Sequence, residues 1–216
     1  MDITGTLEVD GRPLGDVALA LVADDGRTLA VARSDAAGRF SLLRGAAPPT
    51  SWVVAKLQAP VVGAVAAPVP ADAAPIALAA STAKAATLTA EIELPPGAAP
   101  VDWYEVSVTP TSLDGVPAAA LRTLTLDGMG PARSNSYHKL RVTDGKLRVR
   151  VLPGVYDLRV AHIVDGPKPI PPAPAFWVSG HGTLSDGRVV VADLEYIPVD
   201  VHRDVALRVT MVPARD

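Results

Sequence analysis

The stretch ITGTLEVDGRPLGDVALALV, Ile3 to Val22, reads as strand, turn, strand. Ile3, Gly5, Leu7 and Val9 share one face of the first segment. Asp10-Gly11 and Pro13 then break the alternation with turn chemistry. In the second segment Val17, Leu19 and Leu21 fall on one face, and Ala18, Ala20 and Val22 on the other. Alternation with a period of two predicts β-strands rather than helices.

The same grammar continues outward. SDAAGRFSLLRG, Ser34 to Gly45, offers Phe40 and Leu42 to a core, and SWVVAKL, Ser51 to Leu57, offers Trp52 and Val54. Residues 59–86 are rich in Ala and Pro, and propensity alone allows helix at their end. The alternation of PIALAAS and TLTAEIEL favours strand, with Leu88, Ala90, Ile92 and Leu94 opposed to Thr89, Glu91 and Glu93. A boundary is expected near residues 81–86. Beyond it VTDGKLRVRVLPGVYDLRVAHIV repeats the order of SDAAGRFSLLRGAAPPTSWVVAKL, so the chain reads as a tandem repeat. The second copy carries longer loops over 113–137 and 164–176. The latter is too proline-rich for regular structure. No convincing helix is expected, and GRVVVADLEY and DVALRVTMV supply the last strands.

Composition narrows the chemistry. The 216 residues are 49% hydrophobic but only 4% aromatic, so the core is built from small and β-branched side chains. Twenty-one prolines and 17 glycines leave little room for long helices. A net charge of −3 argues against bulk attraction to nucleic acid or anionic membrane. The chain has no cysteine, which excludes disulfides, thiolate catalysis and Cys-ligated zinc. No apolar run approaches the ~18 residues of a membrane span. The start, MDITGTLEVDG, lacks a basic and an apolar leader region, so no signal peptide is expected. The default location is cytoplasmic, with secretion as part of an assembly left open.

GTLEVDGRPLG followed by SDAAGRFSL resembles the carboxypeptidase regulatory-like group of prealbumin-like (transthyretin-like) β-sandwiches. Gly5, Gly11, Pro13, Leu14, Asp35, Gly38, Arg39 and Phe40 carry the likeness over residues 1–83. Asp144, Gly145, Leu147, Pro153, Gly154 and Tyr156 carry a weaker one over 84–216. The resemblance implies an all-β chain of two tandem Greek-key prealbumin-like β-sandwiches, used as a non-catalytic accessory or adhesion module. Related pilin-type sandwiches carry Lys–Asn isopeptide cross-links. The single asparagine here, Asn135, sits in a polar loop rather than on a strand, so no such bond is expected.

No catalytic constellation is visible. His138, His162, His181 and His202 are dispersed, no serine sits in a GxSxG elbow, and LDGMGPARS lacks a GK[ST] phosphate loop. No enzyme activity, metal or other cofactor is expected. Two features stand out as binding candidates. Trp103 falls in phase with the polar Glu105 and Ser107, as an interface anchor or as packing against a neighbouring loop. Asp144-Gly145 reads as a two-residue type I′ hairpin turn. It would pair Arg141 with Arg148 and Lys139 with Arg150, and put Lys139, Arg141, Lys146, Arg148 and Arg150 on one face. Like charges directly opposite each other cost stability. Something acidic should therefore compensate, either a neighbouring strand bearing Glu91, Glu93 or Glu105, or an acidic partner protein or polyanion.

Two functions remain open from the sequence. One is a structural or interaction protein, an accessory component of a larger assembly that binds protein partners. The other is a carbohydrate or small-ligand module using Tyr137, His138 and Trp177 on the loops of the second half.

Overall fold

The computed structural model of the chain describes residues 2–45, 48, 50–72, 74–98, 103–125, 138–162, 177–193 and 195–213. Up to residue 80 the described residues form β1 (Asp2–Val9), β2 (Arg12–Pro13), β3 (Ala18–Ala23), β4 (Thr28–Arg33), β5 (Arg39–Leu43), β6 (Ser51–Leu57), β7 (Gly63–Pro68) and β8 (Ile76–Ala80). A 3-10 turn over Thr82–Lys84 follows. Then come β9 (Ala86–Glu93), β10 (Tyr104–Leu113), helix α1 (Ala118–Thr125), β11 (His138–Val142), β12 (Lys146–Val151) and β13 (Gly154–His162). The last strands are β14 (Trp177–Leu184), β15 (Val189–Val191), β16 (Ile197–Asp200) and β17 (Val205–Pro213). The described residues are all-β apart from α1 and the short turn, as the alternation predicts.

Three sheets result. In the first, β1 pairs antiparallel with β2 and β5 and parallel with β8. The second has the order β4-β3-β6-β7. The third runs β11-β10-β13-β14-β17-β9-β12, with β15 added to β14 and β16 to β13. β8 and β9 belong to different sheets, with the 3-10 turn between them.

The doubly apolar pattern of DVALALV has a physical cause: the second sheet is covered on both sides. Leu19, Leu21, Val53, Ala55 and Leu57 pack with Leu7, Phe40 and Leu42 of the first sheet in one core. Ala20, Val22 and Val54 on the opposite face join a second core with Leu88, Val106, Leu158 and Val209. Small side chains on that face let the second half approach closely. Every one of these residues is less than 6% exposed.

Two expectations are corrected. Helix α1 was not legible in the alternation. It starts after Pro117, a residue suited to a first helical turn, and runs into three alanines. The Leu121 amide donates to the Pro117 carbonyl at 2.9 Å, and Ala120 and Leu121 are buried in the second core.

The second correction concerns the hairpin. β11 and β12 do not pair with each other. β11 pairs with β10 and β12 with β9, at opposite ends of the third sheet. Gly145 has φ +68, but Asp144 is not among the described residues with positive φ, and a type I′ turn needs both. The chain arches from one end of the sheet to the other. The arch avoids stacking Arg141 against Arg148. It places Arg141 opposite Glu105 and Lys146 opposite Glu91 instead.

Candidate interaction surface

The five cations that a hairpin would have gathered are split into two groups. On β11, Lys139 lies opposite Ser107 and Arg141 opposite Glu105. The Lys139 ammonium meets the Glu105 carboxylate at 2.9 Å. The Arg141 guanidinium stacks over the Trp103 ring, 4.4 Å from its centroid. A cation over an indole face is held by the ring quadrupole, so Trp103 is partly covered by its own chain.

Arg150 on β12 also has an internal partner: its guanidinium donates to the Thr82 carbonyl. Around the same turn, Asp10 accepts from the Thr82 amide at 2.8 Å, the Thr82 hydroxyl and the Ser81 hydroxyl at 3.1 Å. The Thr82 hydroxyl and amide hold the Asp10 carboxyl below its ordinary range, with Arg150 a further favourable charge. Arg150 thus ties the second half to the turn that follows β8.

Among the described residues Lys146 and Arg148 have no such partner. Both are exposed and stand on the outer face of β12. Lys146 faces Glu91 across the ladder without closing to an ion pair, and Arg148 faces Thr89. Glu93, two residues further on, is taken by Arg208 of β17 at 2.9 Å. Across β12, β9, β17 and β14 the register aligns Lys146, Glu91, Arg208 and Thr183 in one row. Arg148, Thr89 and Ala206 form the next. Small residues in that second row leave a half-open groove of ≈ 710 Å³. It is lined by Lys146, Arg148 and Arg208 as cations and Glu91 as the lone carboxylate, with the hydroxyls of Thr89, Thr183 and Ser185.

His138 is not among the residues that line this groove. His138 opens β11 and is half-buried; burial, then the charge of Lys56, pushes its imidazole below the ordinary range and favours the neutral form. Trp177 opens β14, with its backbone opposite Pro213. Tyr137, Asn135 and the loop 164–176 lie outside the described residues.

Sequence reasoning missed a polar knot where the third sheet almost parts. Among the described residues β13 and β14 share a single register pair, Ala161 with Val178. Beside it the buried Ser179 hydroxyl accepts from the Val160 amide at 3.3 Å and donates to the Glu195 carbonyl. The Arg159 Nε and Nη2 atoms reach one Glu195 carboxylate oxygen at 2.8 and 2.7 Å. Glu195 itself sits at φ +73, a conformation costly for a residue with a side chain. Nothing in VADLEY announces that backbone. Among the described residues no group of three or more His, Cys, Asp or Glu side chains could hold a metal ion. No described helix is long and apolar enough to cross a membrane.

The fold and face define an all-β sandwich protein with a cationic groove on one sheet. No family model matches the chain, and no curated protein is similar to it. The carboxypeptidase regulatory-like likeness therefore stands only as the sandwich fold. Among solved structures the chain is similar to the shaft pilin SpaA from Lactobacillus rhamnosus GG. That match has 9% identity, covers 100% of this chain and 98% of the pilin, and has a TM-score of 0.29. It is also similar to the major pilin protein from Streptococcus pyogenes, at 11% identity over 100% and 97% of the two chains, with a TM-score of 0.32. Superpositions this loose carry no functional argument. The cytoplasmic default is corrected here and withdrawn: the structures the chain is similar to are pilins.

Proposed function

We propose that the chain is a non-enzymatic structural or interaction protein, a component of a larger assembly, and that it binds an acidic protein surface through the outer face of β12, β9 and β17. One observation carries this reading. Lys139, Arg141, Arg150 and Arg208 each have an internal partner, whereas Lys146 and Arg148 stand on a groove with none among the described residues. Cations left unpaired beside a trough of hydroxyls are suited to carboxylates brought by another molecule. The reading rests on this face and not on the pilin likeness. It takes residues 1–83 and 84–216 as two sandwiches, in keeping with the change of sheet between β8 and β9.

The test uses poly-L-glutamate as the acidic probe. Wild-type protein is expected to bind it with an affinity that falls as salt rises. Lys146→Glu combined with Arg148→Glu is expected to abolish binding while leaving the CD spectrum unchanged. Equal binding by the folded double variant would sink the proposal.

A further inference from the structure

We infer that the free edge of β12 over residues 146–149 receives an extended acidic segment of a partner protein as an added strand. This deepens the reading of the same face as a docking surface and rests on it. Among the described residues β12 is the last strand of its sheet. The Ile92 amide donates to the Gly145 carbonyl at 2.8 Å, which sets the alternation along the ladder. Leu147, Val149 and Val151 turn their backbone groups toward β9, and Lys146, Arg148 and Arg150 turn theirs away.

Part of the outward row is already used. The Arg150 carbonyl accepts from the Val62 amide, and the Leu152 amide donates to the Val62 carbonyl, each at 2.9 Å. The first half of the chain thus already caps the lower end of this edge with extended backbone. The Lys146 amide donates to Asp144 Oδ1 at 3.0 Å. Among the described residues the Lys146 carbonyl and both backbone groups of Arg148 have no partner. An open edge of this kind is a template for strand addition.

The side chains specify the occupant. A strand laid beside β12 sits about 4.8 Å away, and its outer-face residues stand next to Lys146 and Arg148. Its inner-face residues stand next to the buried Leu147 and the half-buried Val149. The geometry therefore selects carboxylates alternating with apolar side chains. The same cations repel the β12 edge of a second copy, so charge selects the partner and disfavours self-pairing.

The probe is a synthetic capped peptide alternating Glu and Val, compared with its Lys and Val counterpart. Hydrogen exchange of the residue-148 amide is read with and without it on wild type and Arg148→Gln, and binding is measured on these two and on Arg148→Pro. Gln removes the charge and keeps the amide, while Pro also removes an amide that β9 does not use. The Glu-Val peptide is expected to bind wild type, to slow exchange at Arg148, and to bind Arg148→Pro up to about tenfold more weakly than Arg148→Gln, the worth of one backbone hydrogen bond. Equal binding by the Gln and Pro variants, without protection of the amide, overturns strand addition but leaves the acidic-face reading standing. Equal binding of the Lys-Val peptide, or no binding of either, overturns both. Self-association through β12 in place of peptide binding also overturns the inference.

Discussion

Tyr156 shows how much one side chain holds. It is fully buried, and its hydroxyl donates to the Leu152 carbonyl at 2.7 Å with the Val62 carbonyl at 3.3 Å. Burial pushes the phenol well above its ordinary pKa, so it stays a neutral donor. Tyr156→Phe strands the Leu152 carbonyl in a dry site, while the Val62 carbonyl keeps the Leu152 amide, and is expected to cost about 1–3 kcal/mol, read from the urea midpoint. Ser179→Ala is expected to cost a similar ~1–3 kcal/mol, because the Val160 amide and the Glu195 carbonyl both lose their side-chain partner. A substitution that left the midpoint unmoved would show that water replaces the hydroxyl. His202 offers a pH signature. Its Nδ1 lies 2.5 Å from Asp200 and its Nε2 3.4 Å from Asp114, and these carboxylates, Asp200 first, raise its pKa above 6.5. A raised folded pKa stabilises most below the unfolded value and is lost as pH climbs through the folded one. Wild type is therefore expected to exceed His202→Gln in stability near about pH 6, and the gap is expected to close toward about pH 8.5. A gap that widens with pH would reverse the assignment.

At the scale of the element, two Asp-Gly pairs mark what the sequence could and could not say. Asp10 and Gly11 have φ +52 and +72, and the turn joins β1 to β2 with Val9 opposite Arg12. Asp144-Gly145 has the same letters and makes an arch instead. The turn residues permit both outcomes, and the difference lies in pairing with strands far away in sequence, β10 and β9, which no local pattern weighs. Strand faces were legible because alternation is local: Leu88 and Ala90 point inward and Glu91 outward, as read. Strand partners were not, and with them went the site, since the five cations were grouped by a pairing that does not form. Lys146 and Arg148 stay together because they share one strand; Lys139 and Arg141 leave with β11. Gly5 was read as one of a row of core positions, and the structure adds why it must be small. A Cβ there would lie 2.2 Å from the Ile76 carbonyl oxygen and 2.5 Å from the Phe40 ring. β8 packs parallel on β1 at that point. Gly5→Ala is expected to cost about 1–3 kcal/mol by forcing β8 outward, and loss of amide protection across Ile76–Ala80 would locate the damage. Protection kept throughout β8 would mean that the Phe40 ring yields instead.

Across the whole molecule the second sheet is the shared wall. Its β3 and β6 strands send Leu19, Leu21, Val53 and Leu57 one way and Ala20, Val22 and Val54 the other, and each set lies in a different core. Val62 and Ala64 extend the second set, and Leu152 of the second half reaches back into the first. A wall used on both sides couples the two cores: losing either exposes apolar surface that the other half needs covered, at roughly 25 cal/mol per Å². Two sandwiches joined only by a linker would melt separately. This chain is expected to unfold in one cooperative transition, with calorimetric and van't Hoff enthalpies in agreement. Val54→Asp places a charge on the face turned to the second half, and it is expected to lower that single transition by about 3 kcal/mol or more without splitting it. Amide exchange then discriminates. If the wall is shared, β9 and β17 lose protection along with β6, although neither is altered. If protection falls only within residues 2–80 and two transitions emerge, the halves are independent and the double-sided packing of β3 and β6 contributes little.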